Sequence, residues 1–548
     1  MPSTSGSGAS WRSAPGRITL LGPRLPGSSV RPGPGRHVDG CWREGDGCGD
    51  IGIVVAATPV PDRRRRRGYA RTMSSPHRPW WGGPLDVEQL ARSAVLRVRD
   101  AAAELAVVRE MDLQVETTDE LIAASFAAID HLRVDGRAPR PWGELSGFVE
   151  ARDGWVRLHG NYPHHAAVLT EVLGARDRAG LEREIGRRDA AEIEEQVSAA
   201  GGVAVAVRTA QQWREHPQSA ATAGEPWSSV EDRGERPAPS PVRDGPRPIG
   251  DGPAPVGHGA ADPLPLEGVR VLDLTRVIAG PTCTQLLACL GADVLRIDPP
   301  HRPELLDQHF STGMGKRSAV LDLRRRAEAE KLRTLAMDAD VILDGYRPGA
   351  LAAFGFGVGD LARLAPRAVI CSLSAWGEHG PWGQRPGFDS IVQAATGIAV
   401  RCGNGDRPGA LPVQALDHAT GHLLAAHIVE ALARGRAVTV RASLLGAARM
   451  LLTGFRPPDR AVPREPSAAG GSTRAGRPDA SADRGAPREG PLVSPPTVDA
   501  GSPLEVPSVS VPSADGTLVV APPPILLDGR TLELAVGASG AARAQWRV

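Results

Sequence analysis

The sequence predicts an α/β protein whose later half is a doubly wound, mostly parallel sheet, and three observations carry that prediction. Val269–Leu274 is a short, apolar, β-branched run that breaks off at Thr275-Arg276, the pattern of a strand buried on both faces. Gly280-Pro281 then opens a helix in which Leu286, Leu287 and Leu290 recur and which Gly291 closes. Asp293–Ile297 supplies a second strand, so the unit is βαβ, the building block of a Rossmann-like sheet. Ligands of such sheets sit outside the carboxyl ends of the strands, which points to the loop Thr275–Gly280. That loop lacks the GxGxxG fingerprint, so neither a nicotinamide nor a flavin cofactor is indicated.

The alternation continues through strands at Ala319–Leu323, Val341–Leu343 and Ala368–Leu373, with a helix over Arg326–Met337. Gly355–Gly359 reads as turn chemistry before the helix Asp360–Leu364, rather than as a phosphate site. Asp389–Thr396 is helical and stopped by Gly397, and a long apolar helix runs from Gln414 to Ala433. A last strand, Val438–Leu444, leads into a helix over Leu445–Leu452. These elements define a large domain over 263–455. Ahead of it, 73–218 reads as a small α+β domain. Its helices are expected at Val87–Leu105, Asp119–Leu132, Ala166–Leu173 and Leu181–Ala199, with a short strand at Val203–Val207. Its hairpin lies in FVEARDGWVRLHG, two alternating strands turning at Arg152-Asp153-Gly154.

The remaining segments are poor in apolar periodicity. Residues 1–72 read as a disordered tail rich in Gly, Pro and Arg, and the change of character at Met73 makes that residue the expected start. Residues 219–262 read as a flexible linker, 456–507 as low-complexity sequence, and 508–548 as a short β segment. Composition excludes several classes. Lys+Arg 64 against Asp+Glu 63 leaves a net charge of +1, so no global field favours nucleic acid or a membrane surface. The six cysteines, at 41, 48, 283, 289, 371 and 402, lack metal spacing and fit reduced thiols in the cytoplasm. His159, His164 and His165 have no acidic or cysteine partner at ligand spacing, so no metal is expected. No apolar run reaches the ~20 residues that cross a bilayer.

Five stretches in order, LEGVRVLDLTRVIAGP, GKRSAVLDL, DVILDGYRPGAL, ICSLSAWGEHGPWGQRPGFDSIVQAATG and ALDHATGHLLAAHIVEAL, resemble the large domain of family III CoA-transferases, the formyl-CoA, carnitine-CoA and α-methylacyl-CoA racemase type. WVRLHGNYPHH and AAGGVAVAVRTAQQW are similar to that family's small domain, which there follows the start of the large domain and here precedes it. The resemblance implies an interlocked homodimer acting on acyl-CoA and a carboxylic acid, with coenzyme A as substrate and no permanently bound cofactor. It implies CoA contacts at Arg276, Val277, Ile278, Ala279, Lys316 and Tyr346, and a catalytic aspartate at Asp417. The residues themselves leave Asp417 open between a nucleophile and an ordinary N-cap of the long helix.

The chain also departs from the family pattern. Gly345-Tyr346 stands where Asn-Phe is common, and Pro299 where some members carry arginine. The family's glycine-rich flap has no clear counterpart, and Gly201-Gly202 is a poor candidate for it. The racemase branch moves a proton with a histidine in a Gly-His-Asp triplet, and here the triplet is Gly387-Phe388-Asp389. An acyl-CoA isomerase and a non-catalytic CoA-binding protein are therefore the alternatives to a CoA-transferase that passes CoA through an aspartyl intermediate.

Overall fold

A computed structural model describes residues 80–236, 263–454 and 506–547. The expected tail and start at Met73, most of the low-complexity stretch and residues 237–262 of the expected linker lie outside them. Helix α1, Val87–Val108, is capped by Asp86, whose carboxylate accepts the Gln89 N–H at 2.9 Å. Leu90, Ala91, Ala94, Val95, Val98 and Leu105 put its apolar stripe on one face. Strands β1, Gly147–Ala151, and β2, Gly154–Leu158, form the expected hairpin. Helix α2 spans Pro163–Leu173, and β3, Ala204–Ala206, pairs with β2 to complete a three-stranded antiparallel sheet.

Two helices expected as continuous are each broken in two. Asp119–Leu132 divides into Asp119–Phe126 and Ala128–His131, and Leu181–Ala199 into Arg178–Ile185 and Ala190–Ala199. In the second case Gly186 ends one helix and Asp189 begins the next, inside a stretch whose apolar spacing alone gave no break.

A second difference concerns the expected linker. Ser228–Glu235 is strand β4, paired antiparallel with a strand of the main sheet. Its side chains face solvent along most of its length, so it is held by backbone pairing at an edge and shows no apolar alternation to read.

The main sheet continues with β5 (Arg270–Leu274), helix α3 (Ala279–Cys289), β6 (Asp293–Asp298), β7 (Arg317–Val320), β8 (Val341–Asp344) and β9 (Val369–Ser374). Helices α4 (Asp389–Thr396) and α5 (Ala415–Ala433) and strand β10 (Arg436–Ser443) follow. The spatial order is β4-β10-β9-β8-β5-β6-β7, with every pair parallel except β4 with β10. The chain runs outward from β5 to β7, then returns to the other side of β5 at β8, so the direction of winding reverses between β5 and β8.

One core joins α1, α3 and α5 to a face of the main sheet, a second lies under the opposite face, and a third fills the small sheet with α2. Thus α1, expected in the small domain, packs instead on α5 of the large one. Strands β11 (Val509–Ser513) and β12 (Gly516–Val520) form the C-terminal hairpin. The chain beyond them covers the β7 edge: Ala319 bridges Ala541, Gly540 donates to Ser318 Oγ at 2.9 Å, and Trp546 enters the second core. Among the described residues no helix is long and apolar enough to cross a membrane.

Candidate active site

The winding reverses where the loops after β5 and β8 meet, the position at which an open α/β sheet binds its ligand. Gly345 donates to the Leu274 carbonyl at 3.2 Å, and a Cβ at Gly345 would lie 3.1 Å from the Thr275 side chain. This contact brings together two predicted stretches, Arg276–Ala279 and Tyr346. Val277 has φ 71°, a left-handed conformation that a β-branched residue adopts only under constraint. The constraint is Glu304, which accepts the Val277 N–H at 2.9 Å. Glu304 is in turn held by Arg296 at 2.9 Å, by Arg276 at 3.5 Å and by the Tyr162 hydroxyl at 2.5 Å. Burial opposes its ionisation, but the two guanidinium groups prevail and hold its pKa down at about 2.

Ile278 and Ala279 turn this loop into α3. The Ile278 carbonyl accepts the Thr282 N–H at 2.7 Å. Tyr346 donates its N–H to Asp344, whose carboxyl burial raises to about 7. Asp344 lines a cleft of about 410 Å³ with Gly349, Ser372 and Arg363. Lys316 is not brought to this cleft. It is 3% exposed, and its ammonium lies beneath α3, 3.4 Å from Asp273, 3.2 Å from the Pro281 carbonyl and 3.0 Å from Thr284 Oγ. Burial lowers it to about 8, with Asp273 opposing.

Asp417 occupies the third helical position of α5 and is 6% exposed. The helix is capped at Gln414, and the Asp417 carboxyl makes no capping bond, so the N-cap reading of this residue is overturned. The capping work is done from another helix. Asp389, first residue of α4, accepts the N–H groups of Leu416 at 2.8 Å and Asp417 at 3.0 Å, and also the Gln393 amide. Burial pushes Asp417 far above the usual carboxylate range and the Asp389 charge adds to it. Asp389 rises only to about 6, because its hydrogen-bond donors counter its burial. One turn after Asp417, a Cβ on Gly421 would sit 2.3 Å from the Ala279 carbonyl oxygen. That close approach seats the helix carrying Asp417 against Ala279, where the loop turns into α3.

The segment before the large region closes over the same place within one chain. His159 stacks on Phe388 with ring centres 3.7 Å apart and planes 4° from parallel. Tyr162 lies under the Arg276 guanidinium at 4.8 Å, and His165 packs edge-on to Phe388. These contacts were invisible in the sequence, because their partners lie more than 100 positions apart in the chain. The only signal was WVRLHGNYPHH itself. Gly201-Gly202 does not act as a flap: Gly202 is wedged against Val168 and Val197 behind α2. Among the described residues no set of three or more His, Cys, Asp or Glu could hold a metal ion.

Residues 266–479 match the family model for CoA-transferase family III, as the five motifs suggested. The chain is 35% identical over 182 residues to a probable fatty acyl-CoA transferase of Mycobacterium tuberculosis, covering 31% of this chain and 46% of that protein. It is 36% identical over 173 residues to the human succinyl-CoA:glutarate CoA-transferase, covering 29% and 39%. A crystal structure of a CaiB/BaiF family protein from Brucella suis is 26% identical, at a TM-score of 0.31, over 36% of this chain and 60% of that one. The chain spans less than half the length of these two curated relatives.

Proposed function

We propose that this protein transfers coenzyme A from an acyl-CoA thioester to a free carboxylic acid, with Asp417 as the nucleophile. The observation that carries the reading is the Asp417 carboxyl, which is buried, makes no cap and lies one turn from the contact of α5 with Ala279. In the first step the Asp417 carboxylate adds to the thioester carbonyl and expels the CoA thiolate, leaving a mixed anhydride. The thiolate then attacks the aspartyl carbonyl of that anhydride, giving aspartyl-CoA and releasing the donor acid as its carboxylate. The acceptor carboxylate repeats the sequence in reverse, so a new acyl-CoA leaves and Asp417 is regenerated. Arg276, Val277, Ile278, Ala279 and Tyr346 are assigned to CoA, and Lys316 to holding the α3 end of that loop from below.

Asp417→Asn tests this directly. The variant should keep its thermal stability and CoA binding and lose acyl-CoA exchange, and hydroxylamine added during turnover should modify Asp417 in the wild type only. An Asp417→Asn protein with normal exchange would overturn the assignment. The same reading makes the assembly a homodimer, checked by sedimentation at micromolar concentration. A monomer with full activity would contradict it.

A further inference from the structure

Arg157 is a buried cation with no ion-pair partner among the described residues, although the Asp389 charge acts on it. It is 8% exposed, and no hydrogen bond or ion pair reaches its guanidinium among the described residues. Its position follows from the alternation of β2: Val156 and Leu158 enter the third core, while Arg157 points to the opposite face, which packs on α4. There the guanidinium lies over two rings, Trp142 at 4.8 Å and Phe148 at 4.7 Å. Such contacts offset only part of what a desolvated charge costs, because a buried cation normally requires an anion. Burial lowers its pKa only to about 10, so the charge persists at neutral pH. The nearest carboxylate on α4, Asp389, is already bonded to the Leu416 and Asp417 N–H groups and to the Gln393 amide.

Other unsatisfied polar groups lie alongside. His159, two residues on and on the same face of the strand, has a buried Nδ1 with no hydrogen-bond partner among the described residues, and so does His165. The two rings are 6.2 Å apart, and the Trp142 ring that carries Arg157 also touches His159 edge-on at 6.5 Å. Burial keeps both imidazoles neutral, so each offers a hydrogen bond without adding charge. Trp142 itself is 43% exposed, which puts the rim of the cluster at the surface.

We propose that Arg157, with His159 and His165, is the binding subsite for the carboxylate of the free acid. A guanidinium takes a carboxylate through two parallel N–H bonds, and the neutral histidines complete its hydrogen bonding. The site borders Phe388, on which His159 stacks, and Asp389, which accepts the Asp417 N–H. The catalytic role of this subsite rests on the proposed CoA transfer, but the acid binding does not.

The test therefore measures binding and turnover separately on the full chain. Titration calorimetry with succinate and with acetate should give saturable binding to the wild type. Arg157→Gln should weaken that binding about tenfold or more, the loss expected for a charged hydrogen-bonded contact, and Arg157→Lys should restore only part of it, because an ammonium cannot make the two parallel bonds. In exchange assays Arg157→Gln should raise KM for the acid by a similar factor and leave KM for the acyl-CoA within about twofold. Weakening of succinate alone would mean that Arg157 holds a second carboxylate; equal weakening of both acids would mean that it holds the reacting one. Unchanged acid binding in Arg157→Gln, or equal rises in both KM values, would overturn the subsite. If Arg157→Gln does not fold, His159→Gln should weaken acid binding several-fold, and its failure to do so is equally decisive. Saturable binding without any exchange would leave the subsite standing and remove the transferase.

Discussion

Asp417 and Asp389 form a carboxyl pair in which the two partners have different neighbours. Among the described residues Asp389 has three donors and stays the better anion, whereas Asp417 has none and is the more readily protonated. A nucleophile must be ionised, so exchange should rise with pH along a limb above the ordinary carboxylate range of about 4. Replacing Asp389 by Asn removes the neighbouring charge, and the limb in kcat/KM should move to lower pH; a limb that stays in place would refute the coupling. Asp389→Ala leaves two helix N–H groups without acceptors and should cost about 2 kcal/mol or more in denaturant unfolding. Val277 gives a second check. Its left-handed backbone stores strain of order 1–3 kcal/mol, so Val277→Gly should be neutral or stabilising by about 1 kcal/mol while CoA binding weakens.

The contact of α3 with α5 depends on a missing side chain. In Gly421→Ala the new methyl would meet the Ala279 carbonyl, and backbone cannot yield as a flexible side chain does. We expect a loss of about 1–3 kcal/mol in unfolding and a lower kcat, since Asp417 moves with its helix. The same substitution at Gly224, where nothing lies within 4 Å, is the control and should change neither. At this scale much of the fold could be read beforehand. Helices Arg326–Met337 and Asp389–Thr396 occur over the residues expected, because their apolar spacing and stop residues are local signals. Strand β4 could not be read, since SSVEDRGE is held by the backbone of β10 and carries no buried pattern. Of the site, Asp417 and the Arg276–Ala279 loop were legible from motif. Asp389 as cap, Glu304 as the anchor of Val277, and the lone Arg157 were not, because each role comes from partners distant in the chain.

Over the whole molecule, burial sets the response to acid. His418 and His422 are buried on α5 with their rings against Phe126 and held down to about 3, and His309 and His427 to about 4. Unfolded histidine takes a proton near pH 6.5, so the unfolded chain binds more protons at these sites throughout the window from there down to pH 3. The histidine contribution is therefore full above about pH 7 and falls as pH drops, by roughly 2 kcal/mol for each of His418 and His422 at pH 5, while the buried carboxyls of Asp344, Asp389 and Asp417, raised by burial, act in the opposite sense. Denaturant midpoints at pH 7 and 5 check this, and His422→Asn should lose less on acidification than the wild type. The order of segments has its own consequence, in time. Helix α1 finds its partner in α5, where Arg97 pairs with Glu430 across 333 positions of chain, and β4 waits for β10. At 5–20 residues per second, a ribosome takes roughly 15–70 s to make that interval. For that time the α1 stripe of Leu90, Val95 and Val98 is synthesised but unmatched, and it stays so until α5 and β10 emerge to take up α1 and β4.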